Sequence, residues 1–147
     1  MLKTAHKILS SNHLCVLSTC GDRRPNSSLM QYVCNGDYTE VYLMTMKGST
    51  KHQNIMSHPQ VSLLVDTRTD ADEKEKLKAL TVYGHAIVEE GGDRAKALRE
   101  ALVRRNPDLS VFSTKPDACV ITIIIEDLLL LDGLVESSFI TLEPPGV

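Results

Sequence analysis

In Glu40-Val-Tyr-Leu-Met-Thr-Met-Lys-Gly-Ser-Thr-Lys51 one kind of backbone gives way to another. The first half mixes β-branched, aromatic and long apolar side chains, which predicts a strand over Glu40–Thr45. At Lys47-Gly48-Ser49-Thr50-Lys51 the pattern stops, and His52 to His58 carry Ile55 and Met56 among polar residues until Pro59 ends a short predicted helix. Ser49 or Thr50 is the expected N-cap, its side-chain oxygen accepting from a first-turn N–H that has no partner inside the helix. A strand, a glycine turn and a capped helix therefore follow one another without a linker.

Upstream, His13-Leu-Cys-Val-Leu-Ser-Thr19 is apolar and β-branched, and Cys20-Gly-Asp-Arg-Arg-Pro25 has the composition of a turn. Ser27-Ser-Leu-Met-Gln-Tyr-Val-Cys34 is extended again, so a hairpin is expected. A second turn at Asn35-Gly36-Asp37 leads into Glu40–Thr45, because Asn-Gly tolerates the positive φ of tight hairpins. These three strands should be antiparallel, with Ser27–Cys34 beside Glu40–Thr45. Before them, Leu2, Ile8 and Leu9 among polar neighbours predict a short amphipathic helix ending near Ser10–Asn12.

Downstream, Gln60–Asp66 is a fourth strand, Thr67–Lys78 a charged loop, and Ala79–Glu89 a fifth strand. Gly91-Gly92-Asp93 opens a second helix that places Ala95, Leu98, Ala101 and Leu102 on one face and ends in Arg104-Arg105, a sequence suited to a helix C-terminus. Leu109–Phe112 supplies a further helical turn, Ala118–Leu131 the longest strand, and Leu134–Leu142 the last. In the long strand Ile121, Ile123 and Ile125 should face one way and Val120, Ile124 and Leu128 the other, so a helix or a second subunit must cover the outer side. The class is mainly β (α+β): an antiparallel barrel of six to seven strands with accessory helices, rather than a doubly wound parallel sheet.

Composition narrows the function. The 147 residues suit one domain spanning 1–147, and a 42% hydrophobic content is enough to build a core. A net charge of −3 lacks the lysine and arginine surplus that phosphate neutralisation demands, so no nucleic-acid partner is expected. The longest apolar run, Ile123–Leu131, is broken by Glu126 and Asp127 and cannot span a bilayer; with no leader pattern at the N-terminus, a cytoplasmic protein is expected. Cys15, Cys20, Cys34 and Cys119 have no metal-ligand spacing and read as thiols of the core rather than a zinc site, with a redox role the lesser alternative. His52 and His58 do not stack on one helix face, so no metal is expected.

Two segments carry candidate chemistry. At the strand–helix junction, first-turn N–H groups, the hydroxyls of Ser49 and Thr50 and the Lys51 ammonium could converge on a phosphate, although an ordinary capped helix with a surface lysine has the same sequence. The glycine pair and closing Lys-Ser/Thr of a Walker loop are absent. On the second strand, Ser27-Ser28-Leu29-Met30-Gln31-Tyr32 could meet the polar edge of a flat ring while Met30, Met44 and Met46 contact its face; taken alone, such methionines are more often core.

Taken in order, Ser28-Leu-Met-x-Tyr32, Tyr42-Leu-Met-Thr-Met46, Gly48-Ser-Thr-Lys51, Asn54, Pro59-Gln-Val-Ser-Leu-Leu-Val-Asp66, Ala79-Leu-Thr-Val-Tyr-Gly84 and Ala118-Cys-Val-Ile-Thr122 resemble the pyridoxamine 5′-phosphate oxidase-like, flavin-binding split-barrel superfamily. The resemblance covers nearly the whole chain. It implies a homodimer with FMN in a cleft at the subunit interface, and an FMN-dependent oxidoreductase acting on a small molecule. Carried over, Lys51 with Ser49 and Thr50 would hold the phosphate. Thr45 and Met44 would lie along the ribityl chain and ring, and Ser28, Leu29 and Met30 would meet the isoalloxazine. Such catalysis strictly requires no protein acid or base; His52 and Tyr32 are the nearest candidates for polar help, and each reads first as structural.

The departures are also informative. Ser28 stands where the true oxidases have an arginine that reaches the phosphate, and Leu142-Glu-Pro-Pro-Gly-Val147 lacks their tryptophan and arginine–histidine pair, so oxidation of pyridoxamine phosphate itself is not expected. A non-enzymatic FMN carrier, a barrel holding heme or a deazaflavin, or one with an empty cleft that docks a partner are the alternatives.

Overall fold

The computed structural model describes residues 1–68, 76–133 and 136–144. Helix α1 (Leu2–Ser11) buries Ile8 and Leu9 as expected, but with Ala5 rather than Leu2, which is exposed at the first turn. Strands β1 (Leu14–Cys20) and β2 (Pro25–Gln31) form the first hairpin, in register from Leu14↔Gln31 to Cys20↔Pro25. The chain then makes β3 (Val33–Cys34), β4 (Glu40–Met46), α2 (Thr50–Ser57), β5 (Gln60–Asp66) and β6 (Lys78–Val88). It ends with α3 (Gly92–Arg105), a 3-10 turn at Pro107–Leu109, α4 (Ser110–Ser113), β7 (Ala118–Asp132) and β8 (Glu136–Thr141). Parts of the expected loop Thr67–Lys78 and of the expected strand Leu134–Leu142, residues 69–75 and 134–135, lie outside the described residues.

Every strand pair is antiparallel, in the order β2-β1-β5-β6-β7-β4-β3, with β8 added to β7. Strands β2 and β3 are consecutive in the chain yet stand at opposite ends of that order. The sheet must therefore curl until its ends meet at Tyr32, which makes it a split barrel.

Tyr32 also corrects the expected strand Ser27–Cys34, which is broken in two. The ring is buried, its hydroxyl donates to the Leu9 carbonyl (2.7 Å), and its N–H donates to the His13 carbonyl (3.2 Å). Its own carbonyl accepts from Asn106 Nδ2 (3.1 Å), so the group that would have continued a ladder toward β4 is used elsewhere. As a result β2 pairs with β1, only β3 pairs with β4, and β2 and β4 are not hydrogen-bonded neighbours as expected. The break also raises the strand count among the described residues to eight.

The second turn forms, but by a different device. Gly36 does not take a positive φ; Tyr38 does, at 55°. The Asn35 side chain holds the longer loop together, its Oδ1 accepting from the N–H of Thr39 (2.9 Å) and of Glu40 (3.0 Å).

A β-bulge revises the long strand. The β6–β7 register slips between Tyr83↔Asp127 and Gly84↔Ile125, leaving Glu126 as the extra residue. The slip reverses the alternation, so Leu128 joins Ile121, Ile123 and Ile125 in the main core rather than sitting with Val120 as expected, and Leu130 lies there too. Gly84 fits this site because it has no side chain: a Cβ there would lie 2.2 Å from the Ile124 carbonyl oxygen. Outside the barrel, Leu98 and Leu102 of α3 cover Tyr42, Met44, Ala118 and Val120, so a helix closes that part of the outer face.

Candidate functional site

Where β2 and β4 fail to pair, the barrel wall opens into a cleft of about 630 Å³. One side is β2, with Leu29, Met30 and Gln31; the other is the end of β4, with Met44, Thr45 and Met46. Asp108, Leu109 and Phe112 form a third side, His13 and Leu14 stand at the β1 edge, and Ser49 and Lys51 close one end. The cleft is thus apolar along its walls and polar at the β4–α2 junction.

That junction is built by local chemistry. Gly48 takes φ +83°, a conformation costly for other residues, and reverses the chain out of β4. Ser49 is the N-cap of α2, its Oγ accepting from the His52 N–H (3.3 Å). The Ser49 and Thr45 hydroxyls share a hydrogen bond of 3.2 Å, which ties the buried end of the strand to the first turn of the helix. His52 turns back, its Nδ1 accepting from the Gly48 N–H (3.2 Å), and is a capping group rather than a group facing the cleft. Lys51 makes no ion pair among the described residues and faces the cleft with its charge uncompensated.

Of the candidate residues, Leu29, Met30, Met44, Thr45, Ser49 and Lys51 line this one cleft. Ser28 and Thr50 do not. The Ser28 hydroxyl accepts from Asn26 Nδ2 (3.3 Å) further along β2, and Thr50 opens onto a separate cavity beside the β1–β2 turn. Met44 serves both readings offered for it, since it is packed under α3 in the outer core and still reaches the cleft.

Sequence reasoning missed Asp108, Leu109 and Phe112, which come from beyond α3 and have no spacing relation to β4. Gln31 Nε2 donates to both Asp108 carboxylate oxygens (2.8 Å each), bracing that segment against β2. Three of the four thiols are placed for structure, whereas Cys20, also expected in the core, is exposed at the end of β1. Burial pushes Cys15 and Cys34 from the usual 9 up to about 12, and it raises Cys119 as well, so none of the three is a ready nucleophile. Among the described residues, no group of three or more His, Cys, Asp or Glu could hold a metal ion, and no helix is long and apolar enough to cross a membrane.

A curled antiparallel barrel with a cleft at its split seam defines a split barrel, and the sequence agrees. Residues 1–130 match the pyridoxamine 5′-phosphate oxidase family, to which this chain belongs. No curated protein sequence matches it. Among solved structures it is similar to General Stress Protein 26 of Bacillus anthracis, at 22% identity and TM-score 0.75, covering 95% of this chain and 97% of that one. It is similar to an FAD-binding protein of Mesorhizobium loti at 19% identity and TM-score 0.74, covering 88% and 91%. A heme-binding protein of Mycobacterium smegmatis aligns at 19% identity and TM-score 0.82 over 93% of this chain but 56% of its own length. At these identities the likeness establishes the fold.

Proposed function

We propose that this chain is an FMN-binding flavoprotein, an oxidoreductase of the pyridoxamine 5′-phosphate oxidase-like type acting on a small molecule. The observation that carries the reading is the polarity of the cleft: apolar walls end at Thr45, Ser49 and Lys51, which makes no ion pair among the described residues. That donor set fits FMN, whose flat ring needs apolar cover and whose phosphate needs hydroxyl donors and a cation.

Lys51 and Ser49 would hold the phosphate, and Thr45 fixes Ser49 through their shared hydrogen bond. Met30, Met44, Leu29 and Phe112 would cover the ring and exclude water. Bound there, FMN would supply hydride or single-electron transfer, while the chain contributes position and electrostatics. Leu14 and Leu29, 50% and 70% exposed on the cleft rim, support a homodimer in which a second copy completes the site. Four free cysteines suit a reducing, cytoplasmic setting.

The test is to titrate purified protein with FMN and then supply reduced nicotinamide nucleotides. Saturable flavin binding with turnover supports an enzyme, binding without turnover a carrier, and no flavin binding refutes the proposal. Heme is the second reading, favoured by His13 at the cleft edge and by the heme-binding neighbour. It requires a Soret band that His13→Ala abolishes.

A further inference from the structure

The third side of the cleft belongs to the segment from Pro107 to Ser113, in which no residue is buried. Packing therefore fixes it weakly, and its hydrogen bonds decide where it stands. At the far end Arg99 Nη1 donates to the Ser113 carbonyl (3.1 Å). At the near end two bonds cross the seam from consecutive residues at the end of β2. The Tyr32 carbonyl accepts from Asn106 Nδ2 (3.1 Å), and Gln31 Nε2 donates to both Asp108 carboxylate oxygens (2.8 Å each). These two rungs stand in for the ladder that β2 and β4 do not form.

The rungs are unequal. Asn106 is 2% exposed and also donates to the Leu102 carbonyl (3.3 Å), which fastens it to the end of α3. The Gln31–Asp108 bond is exposed, so water competes for both partners and its net strength is small. The segment thus has a fixed end at Asn106 and a releasable one at Asp108. Leu109 and Phe112 follow the releasable bond, half-buried against the outer core on one side and lining the cleft on the other. Breaking the outer rung lets them turn away from β2 and widens the cleft mouth.

We propose that Gln31 is a positioning residue: through Asp108 it holds Leu109 and Phe112 across the seam, and release of that bond is the opening step by which a flat ring enters and leaves the cleft. The ring is the flavin of the reading above, on which the inference rests. Because the bond exists before a ligand arrives, weakening it favours opening of the empty and the filled protein alike. Entry and exit then accelerate together while affinity holds. Loss of a contact made only to the bound ring would accelerate exit alone.

The experiment is stopped-flow fluorescence of the full chain with riboflavin and FMN, comparing wild type, Gln31→Leu and the exchange Gln31→Asp/Asp108→Gln. The backbone of residue 31 pairs with Leu14 whatever its side chain, so the variants should keep the β1–β2 ladder. Gln31→Leu should raise both the association and the dissociation rate constants about three- to tenfold for both flavins and leave the dissociation constants unchanged. The exchange re-forms an amide–carboxylate pair in reverse and should slow both rates again. Unchanged rates, faster exit alone, or an exchange variant as fast as Gln31→Leu would overturn the proposal. Should wild type bind no flavin, the parent reading fails, and amide hydrogen exchange of the unliganded protein decides the opening step. The Leu109 N–H, which donates to the Asn106 carbonyl (2.9 Å), then reports on it. Faster exchange there in Gln31→Leu than in wild type keeps the opening step, and equal exchange removes it.

Discussion

The barrel has a wall and a seam. On the wall, β6 and β7 are laddered from Lys78↔Asp132 to Val88↔Ile121, and Leu80, Val82, Leu128 and Leu130 are buried beneath them. At the seam, β2 and β4 approach without a ladder, and the space between them becomes the cleft. The wall satisfies its backbone groups within the sheet. The seam instead uses side chains, Asn106 taking the Tyr32 carbonyl and Ser49 the His52 N–H in the first turn of α2. Stability should therefore be concentrated in the wall and ligand binding in the seam, and substitutions can separate the two.

The largest effect is expected at the bulge. Gly84→Val places carbon 2.2 Å from the Ile124 carbonyl oxygen and 3.0 Å from Ile123 Cγ2, so backbone must move. A loss above about 4 kcal/mol, seen as insoluble or unfolded protein, is expected. Wild-type solubility and melting would mean that the wall yields there. Next, Leu80→Ala, at a fully buried position, should cost about 2–5 kcal/mol in urea denaturation and leave the flavin affinity of the folded fraction unchanged. A parallel loss of affinity would show that wall and seam are coupled.

Ser49→Ala crosses the division on purpose, because Ser49 is both the helix cap and the proposed phosphate contact. It should lower stability by about 1 kcal/mol and weaken FMN, whereas Ser49→Thr should restore the cap.

The smallest effects concern the thiols. Cys20 is exposed and should react with a thiol reagent in the native protein, while Cys15 and Cys119, each 2% exposed, should react only on unfolding. Unfolded thiols ionise near 9, whereas burial holds protons on Cys15 and Cys34 to about 12. Folded protein therefore binds more protons in that window, and stability should fall as pH rises from about 9 toward 12. A flat or rising denaturation midpoint over that range would show that these thiols are not buried as described.

Much of the wall was legible, because alternation in Gln60–Asp66 and the isoleucines of β7 announces strands whatever they pair with. The bulge was not, since nothing local marks Glu126 as the extra residue and only the partner's Gly84 accommodates it. In the seam, the β4–α2 junction was legible for a local reason: a cap and a glycine turn are short-range chemistry. The break at Tyr32 depends on Leu9 and Asn106, and the third side of the cleft on Asp108, all distant in sequence, so no motif recorded them. The Asn35 turn formed with its positive φ at Tyr38, because the Asn35 side chain, not the Asn-Gly pair, closes the loop.

The claim on which the rest depends is that Lys51 receives a phosphate. The direct measurement is the ratio of riboflavin to FMN dissociation constants in wild type and in Lys51→Ala. Losing one charge-assisted contact costs about 1.5–3 kcal/mol, so the ratio should fall roughly 10- to 100-fold while riboflavin binding and the unliganded melting temperature stay put. A ratio that does not change, or riboflavin weakened as much as FMN, would contradict the account.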